Sequence, residues 1–220
     1  MRGIEQIPVL YDAMMAVAEA TGFASWRRDL AGRARGRVLD VGCGTGRNLP
    51  LYLPPVQPVA LDQRFDLLLA ARRRAPHVPA VLGSAEALPF ADGAFDDAVS
   101  GLVFCSVADP LRGLGEIRRV LRPGGRLHML EHVRSTHRLV ARWQDAIQPA
   151  WTLVAGGCFP NRDTEATVRA AGFVIDPGTR RTRRNVRLFT ATFATPEHRQ
   201  PAGGARRTTR IGEATEEPPP

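Results

Sequence analysis

The sequence predicts an α/β fold: a doubly wound, mostly parallel sheet with helices on both faces. Three observations predict it. From Arg37 onward, apolar strand-like runs alternate with helical patterns across short loops. The stretch VLDVGCGTG, residues 38–46, carries an apolar run through Asp40 and then sets glycines at 42, 44 and 46. That is the form of a buried strand handing its chain to a helix through bare backbone. A second acid, Asp62, ends the next run, PVALD, 22 residues after Asp40.

The elements follow in order. Residues 9–20 place Leu10, Met14, Val17 and Ala18 on one face of an amphipathic helix, part of a helical lead-in or lid over residues 1–36. RVLDV is the first strand. The segment after Gly46 should open a helix that Pro54-Pro55 stops. PVALD is the second strand, DLLLAARRRA a helix, PAVLG the third strand and FDDAVSGLVF the fourth, after a polar loop through Asp92-Gly93. Asp109-Pro110 opens the next helix, with an acid to cap it and a proline suited to its first turn. Its apolar face is Leu111, Leu114, Ile117 and Leu121. Pro123-Gly124-Gly125 ends it, and GRLHMLEHV is the fifth strand. Leu139, Trp143 and Ile147 stripe a helix that Pro149 should halt, and an apolar stretch, AWTLVAGGCF, follows. Asn161 or Asp163 caps a short helix closed by Gly172. FVID and VRLFTATFA are the last strands, joined by an arginine-rich turn. The main domain thus spans 37–195. Residues 196–220, rich in proline, glycine and charge with few apolar side chains, read as a disordered tail.

Composition narrows the function classes. The 220 residues suit one α/β domain plus a tail. The net charge is +8, and all 30 basic residues are arginine. They are dispersed except at Arg180, Arg181, Arg183, Arg184 and Arg187, which read first as a solvated hairpin and second as a weak peripheral membrane contact. No aromatic-basic face or NPPY-like tetrapeptide points to nucleic acid. Cys43, Cys105 and Cys158 share no CxxC spacing, so the sequence suggests neither a disulfide framework nor a metal site. Glu5 and Asp12 interrupt any signal-peptide core, and no segment approaches the ~18 apolar residues of a membrane span. A cytoplasmic setting is expected; the oligomeric state is left open.

The glycine loop has three candidate ligands. A phosphate-cradling loop needs a lysine after its last glycine, and the chain has none. A dinucleotide loop is GxGxxG, whereas Gly42, Gly44 and Gly46 are spaced GxGxG. Asp62, at the tip of the neighbouring strand, can accept both hydroxyls of a ribose. A nicotinamide cofactor and S-adenosylmethionine both carry one. GSAEALPFADGAFDDAV, residues 83–99, then sets small and polar residues at the third strand's tip.

Together with LRPGGRLHMLE, residues 121–131, these blocks resemble class I S-adenosylmethionine-dependent methyltransferases of the type 11 domain. The resemblance implies a Rossmann-like, seven-stranded sheet whose last strand is antiparallel. It implies that Asp40 and the loop Gly42, Cys43, Gly44 and Gly46 face the aminoacid end of the cofactor. Asp62 would take the ribose, Ser84 and Ala85 the adenine, and the Gly101 carbonyl the amino group, with Gln63 and Glu86 completing the set. Ser84 stands where the family usually has Asp, which shifts adenine recognition toward backbone groups.

Beyond the cofactor, GLVFCSV, MLEHV, the Trp143 helix with QPAW, GGC, and Arg162-Asp163-Thr164 form an ordered set similar to the methyltransferase-like thiol S-methyltransferases. NLPLYLPP resembles them and the bacterial phosphatidylethanolamine N-methyltransferases. The animal thiol enzymes carry an N-terminal membrane helix, which is not expected here. The resemblance implies methyl transfer to a small, partly apolar acceptor. His132 and Glu131, at the fifth strand's carboxyl end, are the catalytic candidates. Tyr11, Cys105, Trp143 and Cys158 are the candidate pocket wall, although Trp143 and Trp151 both also suit the core. An alkyl thiol is preferred; a lipid amine and a quinone-type ring stay open. A nicotinamide-dependent oxidoreductase and a non-catalytic cofactor-binding regulator are the readings from other classes.

Overall fold

In the computed structural model, which describes residues 7–154 and 157–193, each of the five expected runs becomes a strand. They are β1 (Arg37–Val41), β2 (Gln57–Asp62), β3 (Ala80–Leu82), β4 (Phe95–Gly101) and β5 (Leu121–His132). All five are parallel. Then β6 (Phe173–Ile175), β7 (Arg181–Arg183) and β8 (Val186–Phe193) follow, with β8 antiparallel to β5, β6 and β7. The order is β3-β2-β1-β4-β5-β8-β6, with β7 beside β8 off that path. The sheet therefore has eight strands, not seven: the arginine-rich turn itself forms β7.

From β1 the chain steps outward to β2 and β3, then returns past β1 to β4. That reversal opens a crevice at the carboxyl ends of β1 and β4, where ligands of open α/β sheets bind. The central strands are apolar on both faces because helices cover both. On one face Leu39, Val41, Leu127 and Met129 pack with Phe189 and with Leu114 and Ile117 of α4 (Pro110–Val120). On the other, Val38, Ala60, Val99 and Leu130 meet Trp26 and Leu30 of α2 (Ala24–Gly32) and Leu68 and Ala71 of α3 (Phe65–Arg74). Each fully buried Val, Leu, Ile, Phe or Met among them contributes about 1.5–3 kcal/mol.

Helix capping follows the expected chemistry. The Asp109 carboxylate accepts from the Arg112 amide at the start of α4. Asp163, rather than Asn161, caps α6 (Thr164–Ala170) by accepting from the Ala166 amide.

Five expectations about the helices are overturned. The segment after Gly46 makes only a short 3-10 turn, Leu49–Leu51, after which Tyr52 is already extended. Leu111 is exposed on α4, and Val120 takes the inner place. In α1 (Pro8–Ala18) the inward apolar residue is Met15, whereas Leu10, Met14 and Val17 face out. Asp12 sets that rotation by accepting from Thr45, Arg47 and Arg74. The helix α5 (Arg138–Val154) continues past Pro149. The missing amide leaves the carbonyl of Asp145 without its helical donor, and both residues are exposed, where water can serve that carbonyl.

The rotation of α5 also inverts its expected face. Gln144 points inward, donating to the carbonyls of Val133 and Pro160 and accepting from the Ser135 amide. Leu139 and Trp143 are thereby turned out, 71% and 63% exposed. Among the described residues no helix is long and apolar enough to cross a membrane. The arginine-rich hairpin is tied inward: Arg180 and Arg187 pair with buried Glu165, and Arg181 with Asp29. The expected tail, 196–220, lies outside the described residues.

Candidate functional site

The crevice holds a cavity of about 370 Å³, at the small end of the range for ligand pockets. Gly42, Gly44, Asp62, Gln63, Ser84, Ala85, Glu86 and Gly101 all line it. The fold thus gathers eight of the eleven expected donor-contact residues from the tips of four strands.

Two glycines explain the loop. Gly42 has φ +63°, and a Cβ there would lie 2.6 Å from Val103. Gly44 has φ +56°, and a Cβ there would meet nothing within 4 Å. The first glycine is required by packing as well as backbone conformation, the second by conformation alone. Its open side faces the cavity.

Asp62 closes the loop from the second strand. Its carboxylate accepts from the Gly44 amide at 2.8 Å and from the Arg64 amide at 2.9 Å. Burial raises its pKa, and these two amides oppose the rise. A carboxylate has about four acceptor sites, so capacity for a diol remains. Acceptor chemistry at Asp62, main chain at the glycines and the absence of lysine fit a nucleoside without phosphate.

Asp40, Cys43 and Gly46 do not line the cavity. Asp40 sits beneath the loop, accepting from the Tyr52 hydroxyl at 2.9 Å and the Asn48 amide at 3.3 Å. Burial pushes its pKa up to about 6, against those two hydrogen bonds. Asn48 in turn accepts from Arg27 at 2.8 Å. Burial also raises the Cys43 thiol, whose backbone amide is bonded to Leu61. Gly46 packs on Ala71 of α3. These three residues shape the turn from behind.

Sequence reasoning missed Tyr52 and Asn48 as the partners of Asp40; a buried acid in a strand demands donors, and NLPLYLPP was the segment able to supply them. It also missed Leu102, which lines the cavity with φ 63°, a conformation L side chains rarely adopt. Its amide donates to the Leu130 carbonyl at 2.7 Å, which holds the turn. No sequence signal marks a leucine for that conformation.

On the far side of β4 and β5 the acceptor-side candidates separate. Glu131 is 0% exposed. It accepts from Ser100 (2.8 Å) and from the amides of Val103 (3.0 Å), Phe104 (3.1 Å) and Cys105 (3.4 Å). Burial raises its pKa, with these bonds opposing. Expected as a catalytic candidate, Glu131 here directs its carboxylate to Ser100 and the loop after β4. Trp143, on the outer face of α5, does not line the donor cavity. Tyr11 belongs to α1, and its side chain lies outside the described residues.

Cys105, His132 and Cys158 do come together. Their sulfur and ring-nitrogen atoms all lie within 4.8 Å of one another, with Cys158 Sγ 3.9 Å from His132 Nδ1. The Cys158 thiol is drawn down by the hydrogen bond from Cys105, against burial, with His132 adding to the effect; the same bond raises Cys105. Ser106, beside Cys105, lines the donor cavity.

Known proteins agree with this architecture. A methyltransferase domain profile matches residues 39–129. The human thiol S-methyltransferase TMT1A is 33% identical over 175 residues, covering 75% of this chain and 71% of that protein. The human thiol S-methyltransferase TMT1B is 37% identical over 150 residues, covering 64% of this chain and 62% of that protein. A demethylmenaquinone methyltransferase of Renibacterium salmoninarum is 37% identical over 131 residues, covering 57% of this chain and 55% of its own. The chain thus spans about 55–71% of these relatives. A solved S-adenosylmethionine-dependent methyltransferase from Thermotoga maritima overlays with a TM-score of 0.64 at 21% identity, covering 86% of this chain and 97% of that one, a likeness of fold. With the glycine loop, the acid at the second strand tip and the switch-point cavity in place, the chain belongs to the class I S-adenosylmethionine-dependent methyltransferases.

Proposed function

We propose that the methyl acceptor is an alkyl thiol. One observation carries the choice. The only carboxylate among the acceptor-side candidates, Glu131, is fully engaged by Ser100 and three backbone amides, which leaves His132 as the one candidate base among them. An acidic carbon or a phenol needs a positioned base, whereas a thiol with a pKa of about 8.5 needs little help. The two thiol S-methyltransferase relatives support the same reading.

S-adenosylmethionine supplies an electrophilic methyl group when bound. The chain's own work is positioning. Asp62 and the backbone at Gly42 and Gly44 hold the nucleoside, and Glu131 fixes the loop that carries Val103 and Cys105. The side chains around His132 receive a sulfur, and the cavity walls keep water from the transfer. A quinone-type ring is the second reading, favoured by the demethylmenaquinone methyltransferase relative. A lipid amine is the third.

Incubation with methyl-labelled donor and, separately, an alkyl thiol, a demethylated quinone and phosphatidylethanolamine vesicles tests the choice. Label in the thioether is expected. Label in the ring or the lipid alone would overturn it.

A further inference from the structure

We infer that Cys105, His132 and Cys158 form a binding site for one soft divalent metal ion of the zinc class, with its fourth position open to the sulfur of the acceptor. The last clause rests on the thiol reading above; the metal site does not.

Three ligand types converge from three separate segments: the loop after β4, the end of β5 and the loop after α5. Tetrahedral zinc with two thiolates and an imidazole puts its donor atoms roughly 3.5–3.8 Å apart, from bond lengths of about 2.3 and 2.0–2.1 Å. Here all three donors lie within 4.8 Å, and the Cys158–His132 pair is at 3.9 Å. An inward adjustment of a few tenths of an ångström closes that pair on an ion.

The surrounding bonds hold the three segments in register without the ligand atoms themselves. The Phe159 amide donates to the Cys105 carbonyl at 2.8 Å, joining the two cysteine loops. Arg162 donates to the carbonyls of Phe104 (2.6 Å) and Val107 (2.7 Å). Thr152 holds the Cys158 carbonyl at 3.0 Å. Gln144 bridges Val133 and Pro160, and Thr164 donates to the His132 carbonyl at 3.3 Å. Such a supporting shell is what fixes metal ligands before the metal arrives.

The donor set selects the ion. Two sulfurs and an imidazole disfavour magnesium and calcium and suit zinc or cobalt. Cys105 and Cys158 are 1% and 2% exposed, and two thiolates cancel a divalent charge, so burial does not oppose binding. Among the described residues no fourth His, Cys, Asp or Glu joins the cluster. Three protein ligands with one position left open is the pattern of sites that take an exogenous ligand. An alkyl thiol is the matching soft donor. His132 then serves as a ligand in place of a base.

The test uses the full chain, reduced with a phosphine and titrated with Co²⁺. One equivalent should bind with a thiolate-to-cobalt charge-transfer band and tetrahedral d–d bands, and Zn²⁺ should displace it. Loss of an outer-shell partner alone weakens metal affinity about 10–100-fold. Cys105→Ala, His132→Ala and Cys158→Ala should therefore each weaken it by at least about 100-fold. Trp143→Ala should not change it. Retained binding of S-adenosylmethionine, read by calorimetry, establishes that each variant is folded. A donor-binding wild-type chain that takes up no Co²⁺, or a Cys158→Ala variant of unchanged Co²⁺ affinity, would overturn the site. Adding an alkyl thiol should shift the charge-transfer band; an unmoved band would overturn the open position. Because Co²⁺ uptake is read without turnover, failure of thiol methylation is told apart from failure of the metal site.

Discussion

Along the donor rim, from β1 to β3, the groups that line the cavity include the main chain at Gly42 and Gly44, the small residues Ser84 and Ala85, and the carboxylates of Asp62 and Glu86, gathered at strand tips. Along the acceptor rim, beyond β4 and β5, they are side chains brought from three segments by tertiary bonds. The donor rim is specified largely by local backbone: Gly42 and Gly44 sit at φ +63° and +56°, which side-chain-bearing residues rarely adopt. The acceptor rim is specified globally, by how Gln144 rotates α5 and how Glu131 pins a loop. Binding a common donor needs the first kind of construction; choosing an acceptor needs the second.

The largest expected effect probes Glu131. Replacing it with Ala strips a buried hydroxyl and two or three buried amides of their acceptor, each worth roughly 1–3 kcal/mol. Denaturant unfolding should show a loss of about 3–5 kcal/mol, with Glu131→Gln losing less. Full stability together with lost turnover would mean that Glu131 acts on the acceptor, and the contrast between the rims would fail.

Asp40 comes next. Burial lifts its folded pKa from 3.8 to about 6. Its protonation therefore contributes stability that is fully present below pH 3.8 and is lost as pH rises through 6. Asp40→Asn removes that dependence. Relative to the wild type, the variant should gain stability as pH rises from about 4 to 8, by up to roughly 3 kcal/mol. Equal pH profiles for both proteins would show that the acid is not held neutral beneath the loop.

Asp62→Ala should lower donor affinity at least about tenfold, since charge-assisted hydrogen bonds are worth about 1.5–3 kcal/mol each. Calorimetry reads this directly, and unchanged affinity would move the ribose elsewhere. The smallest effect belongs to Trp143→Ala, which should change stability by less than about 0.5 kcal/mol and leave donor affinity untouched. A larger loss in either would return α5 to the cavity wall.

These contrasts also explain what could be read in advance. The order of strands and helices, the glycine loop, Asp62 and the capping acids Asp109 and Asp163 are stated by short stretches, because each is a local backbone or pattern requirement. The faces of α1 and α5 were not legible. An apolar stripe predicts burial, but here polar anchors, Asp12 and Gln144, decide the rotation and turn the stripe outward. The gathering of Cys105, His132 and Cys158 was likewise hidden, since contact between residues 27 and 26 positions apart has no periodicity to announce it.

The link from Asp12 to Thr45, Arg47 and Arg74 makes the first helix a buttress behind the glycine turn. Clipping the chain before residue 19 would let that turn slacken and should weaken donor uptake without touching any group on the cavity wall. Conversely, a donor that stiffens the turn should shield the first helix from proteases, so limited digestion with and without S-adenosylmethionine would report on occupancy from some distance.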